Sequence, residues 1–323
     1  MAVYTEITDE DLTKFAADLD LGEVLSCKGI AEGVENSNFQ LVTETGTYIL
    51  TLYEKRVNPD DLPFFLGLLE HLESGGVPCP KPFRSPNGKV IYSLSGKPAA
   101  LVSFLPGMWP RRIQAFHTAQ LGKALAQMHV AGADYELRRA NALSVNSWRD
   151  VLQSCEGQGD DVIPGITAEL NRELESLEAN WPDDLPQGVI HADLFPDNVF
   201  FRGEQLSGLI DFYFACNDML AYDIAVCLNA WCFEADGSFN VTKAKRMLQA
   251  YEEVRPLTSA ERDALPILAR GAAMRFLVTR LFDWLNTPEG AMVTPKDPRK
   301  YLQILRFHRD VDGPGAYGLE FKS

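Results

Sequence analysis

A change of hydrophobic period near residue 105 divides this chain into two kinds of structure. Upstream, "VLSCKGIAEG", "NSNFQLVTE" and "TYILTLYE" alternate apolar and polar residues, the pattern of half-buried strands. A turn at Thr45-Gly46 joins the last two, and "KVIYSL" and "PAALVSFL" add two more strands. Ahead of them, "ITDEDLTKFAADLDLG" reads as a helix. Thr8 caps it, Asp11 holds the capping-box position, Ile7 is set to staple onto Leu12, and Gly22 stops it. A second helix is expected from about Asp60 to Ser74, opened by Asn58-Pro59 and closed by Gly75-Gly76. After "FLPGMWP" the strand signal mostly ends. "IQAFHTAQLGKALAQMHVAG", "ITAELNRELESLEANW", "MLAYDIAVCLNAWCFE", "VTKAKRMLQAYEEV" and "SAERDALPILARGAAMRFLVTRLFDWL" all carry helical periodicity. The expected fold class is therefore α+β. Residues 1–104 form an N-terminal lobe, a five-stranded antiparallel sheet with one inserted helix. Residues 105–323 form a mainly helical C-terminal lobe, and Ser103 to Gly107 is the candidate hinge.

Composition excludes several classes of function. The formal net charge is −15, with acidic residues spread along the chain, which argues against a nucleic-acid or anionic-membrane partner. No run approaches the length of a bilayer span, and "MAVYTEITDEDLTKF" lacks the basic and apolar regions of a secretory leader. The six cysteines contain no C-x-x-C pair and mostly sit among apolar neighbours, as small buried hydrophobes do. The expected location is the reducing cytoplasm.

One apolar segment is broken by polar residues at fixed offsets. "VIHADLFPDNVFF" places His191, Asp193 and Asn198 in an H-x-D-x-x-x-x-N pattern, and "LIDFYF" follows with Asp211. Buried carboxylates are costly unless something pairs with them. The spacing is that of a phosphotransferase catalytic loop followed by its metal-binding aspartate. One carboxylate must accept the proton of an attacking hydroxyl, and Asp193 has that place. An amide oxygen and a second carboxylate are hard ligands for Mg²⁺, which bridges nucleotide phosphates; Asn198 and Asp211 supply them. His191 is expected to brace the loop, and Asp197 to be a turn residue.

With Asp211-Phe212-Tyr213 in place of D-F-G, the H-x-D-x-x-x-x-N form resembles the aminoglycoside and choline kinase superfamily over nearly the whole chain. The resemblance implies a two-lobed, protein-kinase-like fold that uses ATP and Mg²⁺. "GVENSNFQL" resembles the superfamily's nucleotide loop, which brings in Gly33, Asn36, Ser37 and Asn38. Ser103, Phe104 and Leu105 fall where adenine would be received, and Asp223 of "YDIA" matches an aspartate that supports the catalytic loop. In the register of "YILTLYE", Thr51 stands where the superfamily usually has a phosphate-pairing lysine. Lys28, Lys55 and Arg56 are the neighbouring cations, each equally readable as a solvated charge.

"GTYILTLYEKR", "HADLFPDNV", "IDFYFACND", "AYDIAVCLNAWCFE" and "RGAAMRFLVTRLFDW" are together similar to the homoserine kinases of that superfamily. This implies phosphorylation of the side-chain hydroxyl of L-homoserine, a step toward threonine. Such a substrate needs a cation for its carboxylate and acceptors for its ammonium. Arg275 and Arg280 are the candidate cations, with ion pairing to Glu261 or Asp283 as the alternative. Asn217, Asp218, Asn229 and Glu234 are the candidate acceptors. Other readings are a kinase of choline, ethanolamine, methylthioribose or an aminoglycoside, or a nucleotide-binding module without activity.

Overall fold

The structure is a computed structural model and describes residues 5–30, 36–54, 57–155, 157–287 and 294–319. Thr8 accepts the Asp11 backbone N–H at 3.1 Å and starts helix α1 (Asp9–Asp18). The period-two segments become β1 (Val24–Gly29), β2 (Ser37–Thr43), β3 (Gly46–Leu52), β4 (Tyr92–Leu94) and β5 (Lys97–Ser103). They form one antiparallel sheet in the order β1-β2-β3-β5-β4. Alternation sends Phe39, Leu41, Leu50, Leu52, Ala99 and Leu101 into a core shared with Leu12 and Phe15 of α1. The opposite alternation carries Asn38, Thr51 and Ala100, which lie side by side across β2, β3 and β5. Helix α2 (Leu62–Ser74) follows a 3₁₀ turn at Pro59–Asp61 and buries seven apolar side chains.

The rest is helical apart from four short strands: α3 (Ala115–Ala131), α4 (Val145–Gln153), α5 (Gly159–Val162), α6 (Ile166–Asn180), β6 (Gln187–Ile190), β7 (Val199–Arg202), β8 (Gln205–Leu209), β9 (Cys216–Met219), α7 (Leu220–Trp231), α8 (Val241–Glu252), α9 (Ser259–Asn286) and α10 (Arg299–Arg309). The architecture is α+β, as the change of period implies. The chain divides into two compact units, Met1–Gly107 with Ser207–Ile210, and Met108–Leu206 with Asp211–Ser323. In the second unit α7 is apolar almost all round and buried along its length, the pattern of a central helix. Helices α4, α5 and α10 and strand β9 lie outside the elements expected from periodicity. The six cysteines are free thiols, all but Cys27 buried. Among the described residues no helix is long and apolar enough to cross a membrane.

Close helix packing in the second unit depends on glycine. A Cβ at Gly122 of α3 would stand 2.1 Å from the Met247 carbonyl oxygen of α8, a backbone atom that cannot swing aside. Gly122→Ala should therefore force the two helices apart and cost about 1–3 kcal/mol of stability, the usual range for overpacking. A urea titration checks this; an unchanged midpoint would contradict the packing described.

Candidate active site

Strand β6 ends at Ile190, and the polar loop begins at the next residue. Its partner β9 pairs antiparallel with it, Ile190 opposite Cys216 and Val189 opposite Asn217. The loop at 191–198 and the Asp211 turn that leads into β9 thus start from neighbouring ends of one short ladder. Ala192 sits in the left-handed region at φ 62°, where a non-glycine residue costs about 1–3 kcal/mol unless its surroundings hold it. They hold it from both sides. The Asp223 carboxylate on α7 accepts the His191 N–H at 2.7 Å and the Ala192 N–H at 2.9 Å. From α9, the Arg275 guanidinium donates to the Ala192 carbonyl. Trp231 of α7 adds an indole N–H to the Leu194 carbonyl at 2.8 Å.

Asp223 has no solvent exposure. Burial pushes its carboxyl up, but His129 and the loop N–H groups outweigh that and hold it below the ordinary value. His129 Nε2 lies 3.2 Å from Asp223 and its Nδ1 lies 2.8 Å from the Tyr251 hydroxyl. A carboxylate can only accept, so in the neutral ring the proton resides on Nε2 and Nδ1 accepts from Tyr251. Arg255 then donates to Tyr251 at 3.1 Å and pairs with Glu261 at 2.8 Å. Glu261 is itself fixed in a capping box with Thr258 at the start of α9. Helices α3, α7, α8 and α9 are therefore tied to one loop.

Within that loop, Asn198 gives Nδ2 to the Asp193 carbonyl at 2.8 Å and approaches Asp193 Oδ2 at 3.4 Å. Its Oδ1 has no hydrogen-bond partner among the described residues. His191 is fully buried, receives the Asp193 N–H on Nδ1 at 3.3 Å and packs on Phe212 with ring centroids 4.6 Å apart. Asp211 is exposed, with φ 64° and ψ 62°, a left-handed conformation aspartate tolerates. Burial pushes the Asp193 carboxyl up to about 7; Arg275 pulls it down and the Asp211 charge pushes it up again. The donor set suits a divalent cation, which offsets such carboxylate repulsion. Among the described residues no three His, Cys, Asp or Glu side chains cluster as a complete metal cage. Magnesium commonly takes only one or two carboxylates and completes its shell with phosphates and water.

The remaining candidates are spread more widely. Arg275 is 2 % exposed, donates to Ala192 and faces the rings of Phe276 and Phe214 at 4.4 and 5.6 Å; these are the contacts of a loop brace. Arg280 is half-buried, its guanidinium carbon 4.2 Å from the Tyr301 ring centroid and 5.7 Å from that of Phe195. Asn229 is buried, donating to the Ala269 carbonyl and meeting His308 Nε2 at 2.6 Å. Asn217 accepts the Arg139 N–H, and Asp218 accepts from Asn141 Nδ2 and from the Met219 N–H. Glu234 pairs with Lys243 at 2.6 Å. Trp231 is wholly buried, and Phe212, which packs on His191, is 3 % exposed.

In the N-terminal unit, Gly33, Lys55 and Arg56 lie outside the described residues. Asn36 accepts the Glu54 N–H at 3.2 Å, and Ser37 donates to the Glu54 carboxylate at 2.7 Å. Glu54 also pairs with Lys97, so its carboxylate ties the first residue of β2 to the first residue of β5. Thr51 is buried and donates to Asn38 Oδ1 at 2.7 Å, so no cation stands in that register. Ser103 exchanges hydrogen bonds with Lys81, Phe104 is exposed, and Leu105 packs where a Cβ on Gly208 would fall. His129, Tyr251 and the Glu54–Lys97 pair were not singled out by sequence reasoning. For Arg275 a signal existed, since one arginine inside "GAAMRFLV" must enter the core.

Residues 26–257 match the phosphotransferase enzyme family (APH). The homoserine kinase of Rhodospirillum rubrum is 64% identical over 319 residues, 99% of each chain. That of Paramagnetospirillum magneticum is 60% identical over 326 residues, covering 99% of this chain and 100% of its own. Among solved structures, an amicoumacin kinase in complex with AMP-PNP, Ca²⁺ and amicoumacin superposes with TM-score 0.71 at 15% identity, over 95% of this chain and 94% of its own. A spectinomycin phosphotransferase with ADP and spectinomycin gives 0.68 at 15% identity, over 97% and 98%. At that identity the likeness is one of fold.

Replacing Asp223 by Asn would set an amide NH₂ against one of the two loop N–H donors. An unsatisfied buried donor costs about 1–3 kcal/mol. Asp223→Asn should lower stability by that order and speed amide exchange at Ala192. Unaltered exchange there would contradict the role given to the carboxylate.

Proposed function

The chain belongs to the phosphotransferase enzyme family, a small-molecule kinase by its relatives, and from that premise we propose that it transfers the terminal phosphoryl group of ATP to the side-chain hydroxyl of L-homoserine in the presence of Mg²⁺. The product is O-phospho-L-homoserine, on the way to threonine. One observation carries the reaction class: a loop pinned by Asp223 and Arg275 holds the Asp193 carboxyl beside Asn198 and within electrostatic reach of Asp211. The acceptor comes from the 64% identity to a homoserine kinase over almost the full length.

In this reading Asp193 orients the acceptor hydroxyl and takes its proton as the oxygen attacks phosphorus. Asn198, through its uncommitted Oδ1, and Asp211 hold the metal. Bound there, Mg²⁺ offsets charge on the transferring phosphoryl group. His191 and Arg275 keep Asp193 in place. The phosphate-pairing duty that a third-strand lysine performs elsewhere is not given to Thr51, whose hydroxyl is committed to Asn38. Asn36, Ser37 and the 103–105 segment are proposed to receive the nucleotide.

Asp193→Asn should lower kcat about 10²–10⁴-fold, the span general-base groups contribute, while the affinity for Mg·ATP stays close to that of the parent. Parental turnover in that variant would sink the base assignment. Asp211→Ala should instead raise the KM for Mg·ATP. In an ADP-release assay with homoserine, choline, ethanolamine, methylthioribose and an aminoglycoside, homoserine should be the preferred acceptor. Turnover of another alcohol with none of homoserine would contradict the substrate.

A further inference from the structure

Beside the proposed base lies a group of cations that the reaction scheme above does not use. The Arg280 guanidinium is laid on the Tyr301 ring at 4.2 Å and reaches toward Phe195 at 5.7 Å. Phe195 is two residues from Asp193. Among the described residues Arg280 has no hydrogen bond and no ion pair, so its planar fork is held by aromatic faces with its donors uncommitted. The Lys296 ammonium lies 5.2 Å from the Phe195 centroid, and its ion pair to Asp197, at 3.7 Å, is loose and exposed. Lys300, on the first turn of α10, completes the group. Its ammonium is held below the ordinary value by partial burial and by the Arg280 and Lys296 charges, although the residue as a whole is exposed. Burial likewise lowers Arg280, against the Tyr301, Asp193 and Asp197 charges that favour its charged form.

The Tyr301 ring is only 1 % exposed and its hydroxyl is sealed from solvent, so what Tyr301 offers Arg280 is a fixed aromatic face. A fork with open donors laid on that face, with the Lys296 ammonium near the same Phe195 ring, makes a recognition set for a planar anion with two oxygens. Arg275 does not compete for that part: its Nη1 donates to the Ala192 carbonyl, and its unpartnered Nε is sealed from solvent on a side chain 2 % exposed.

We propose that Arg280, stacked on Tyr301 and Phe195 and flanked by Lys300, is the seat of the acceptor's α-carboxylate and the feature by which the enzyme tells an amino acid from an amino alcohol. The proposal rests on the homoserine reading, in which carboxylate and hydroxyl are separated by a short carbon chain. It separates two arginines of one helix into different tasks: Arg275 shapes the loop and Arg280 reads the substrate.

The test is steady-state kinetics on the parent, Arg280→Gln and Lys300→Gln with homoserine and with 3-aminopropan-1-ol, which is homoserine without its carboxylate. Loss of a charged hydrogen-bonding partner should raise the homoserine KM of Arg280→Gln about tenfold to a hundredfold and shrink the preference over 3-aminopropan-1-ol by a similar factor. Lys300→Gln, at an exposed position, should raise the same KM severalfold; it decides the matter if Arg280→Gln fails to fold. A homoserine KM within twofold of the parent in the folded variants overturns the proposal. So does a rise confined to the nucleotide KM, which would give these cations to the phosphoryl group. Calorimetry with L-2-aminobutyrate, which keeps the carboxylate and lacks the hydroxyl, separates the two readings. If the parent fails to phosphorylate homoserine yet binds L-2-aminobutyrate in an Arg280-dependent way, the proposed reaction falls and the carboxylate seat stands.

Discussion

A single buried carboxylate, that of Asp223, organises the second unit. It accepts two consecutive backbone N–H groups of the loop and one imidazole N–H, so a charge that would be costly in isolation is matched by three donors. The arrangement is reciprocal. Without the loop, Asp223 would be a stranded charge in an apolar helix; without Asp223, Ala192 would have little reason to remain left-handed. Arg275 closes the arrangement from the opposite side, so the peptide groups at 191–192 are held between a buried anion and a buried cation.

That clamp explains why the loop can present polar groups without being mobile. Asp193 and Asn198 bond to each other and not to solvent alone, and the β6-β9 ladder brings Asp211 toward them. The rigidity comes from far away in sequence: His129, Tyr251 and Glu261 belong to three different helices and, with Arg255 of the α8–α9 connection between the last two, meet the loop through one chain of polar contacts. Preorganisation of this kind suits a reaction in which positioning and electrostatics carry most of the work.

Much of this was legible in the sequence, for identifiable reasons. The sheet was readable because Phe39, Leu41, Leu50 and Leu52 alternate with polar residues and one face is buried. Helices α3 and α6 to α9 were readable from long apolar stripes, and the loop from His191, Asp193, Asn198 and Asp211 at set offsets. Strand β9 was not, because "CNDM" has no strand propensity and exists as a strand only through pairing with β6. Helix α10 went unseen although Tyr301, Leu302, Ile304, Leu305 and His308 recur at helical spacing, because the stretch is short and dense in arginine and lysine. The tasks of Arg275 and Arg280 were not separable from spacing. Five residues apart on one helix, they differ by which neighbour each meets: the Ala192 carbonyl for one, aromatic faces for the other.

The most direct test of the central claim is a crystal structure with a non-hydrolysable ATP analogue, Mg²⁺ and L-homoserine bound together. The account predicts the acceptor hydroxyl about 2.6–3.2 Å from an Asp193 carboxylate oxygen, with Asn198 and Asp211 in the shell of the ion. A hydroxyl turned toward a different base, or an ion held away from those two side chains, would contradict it.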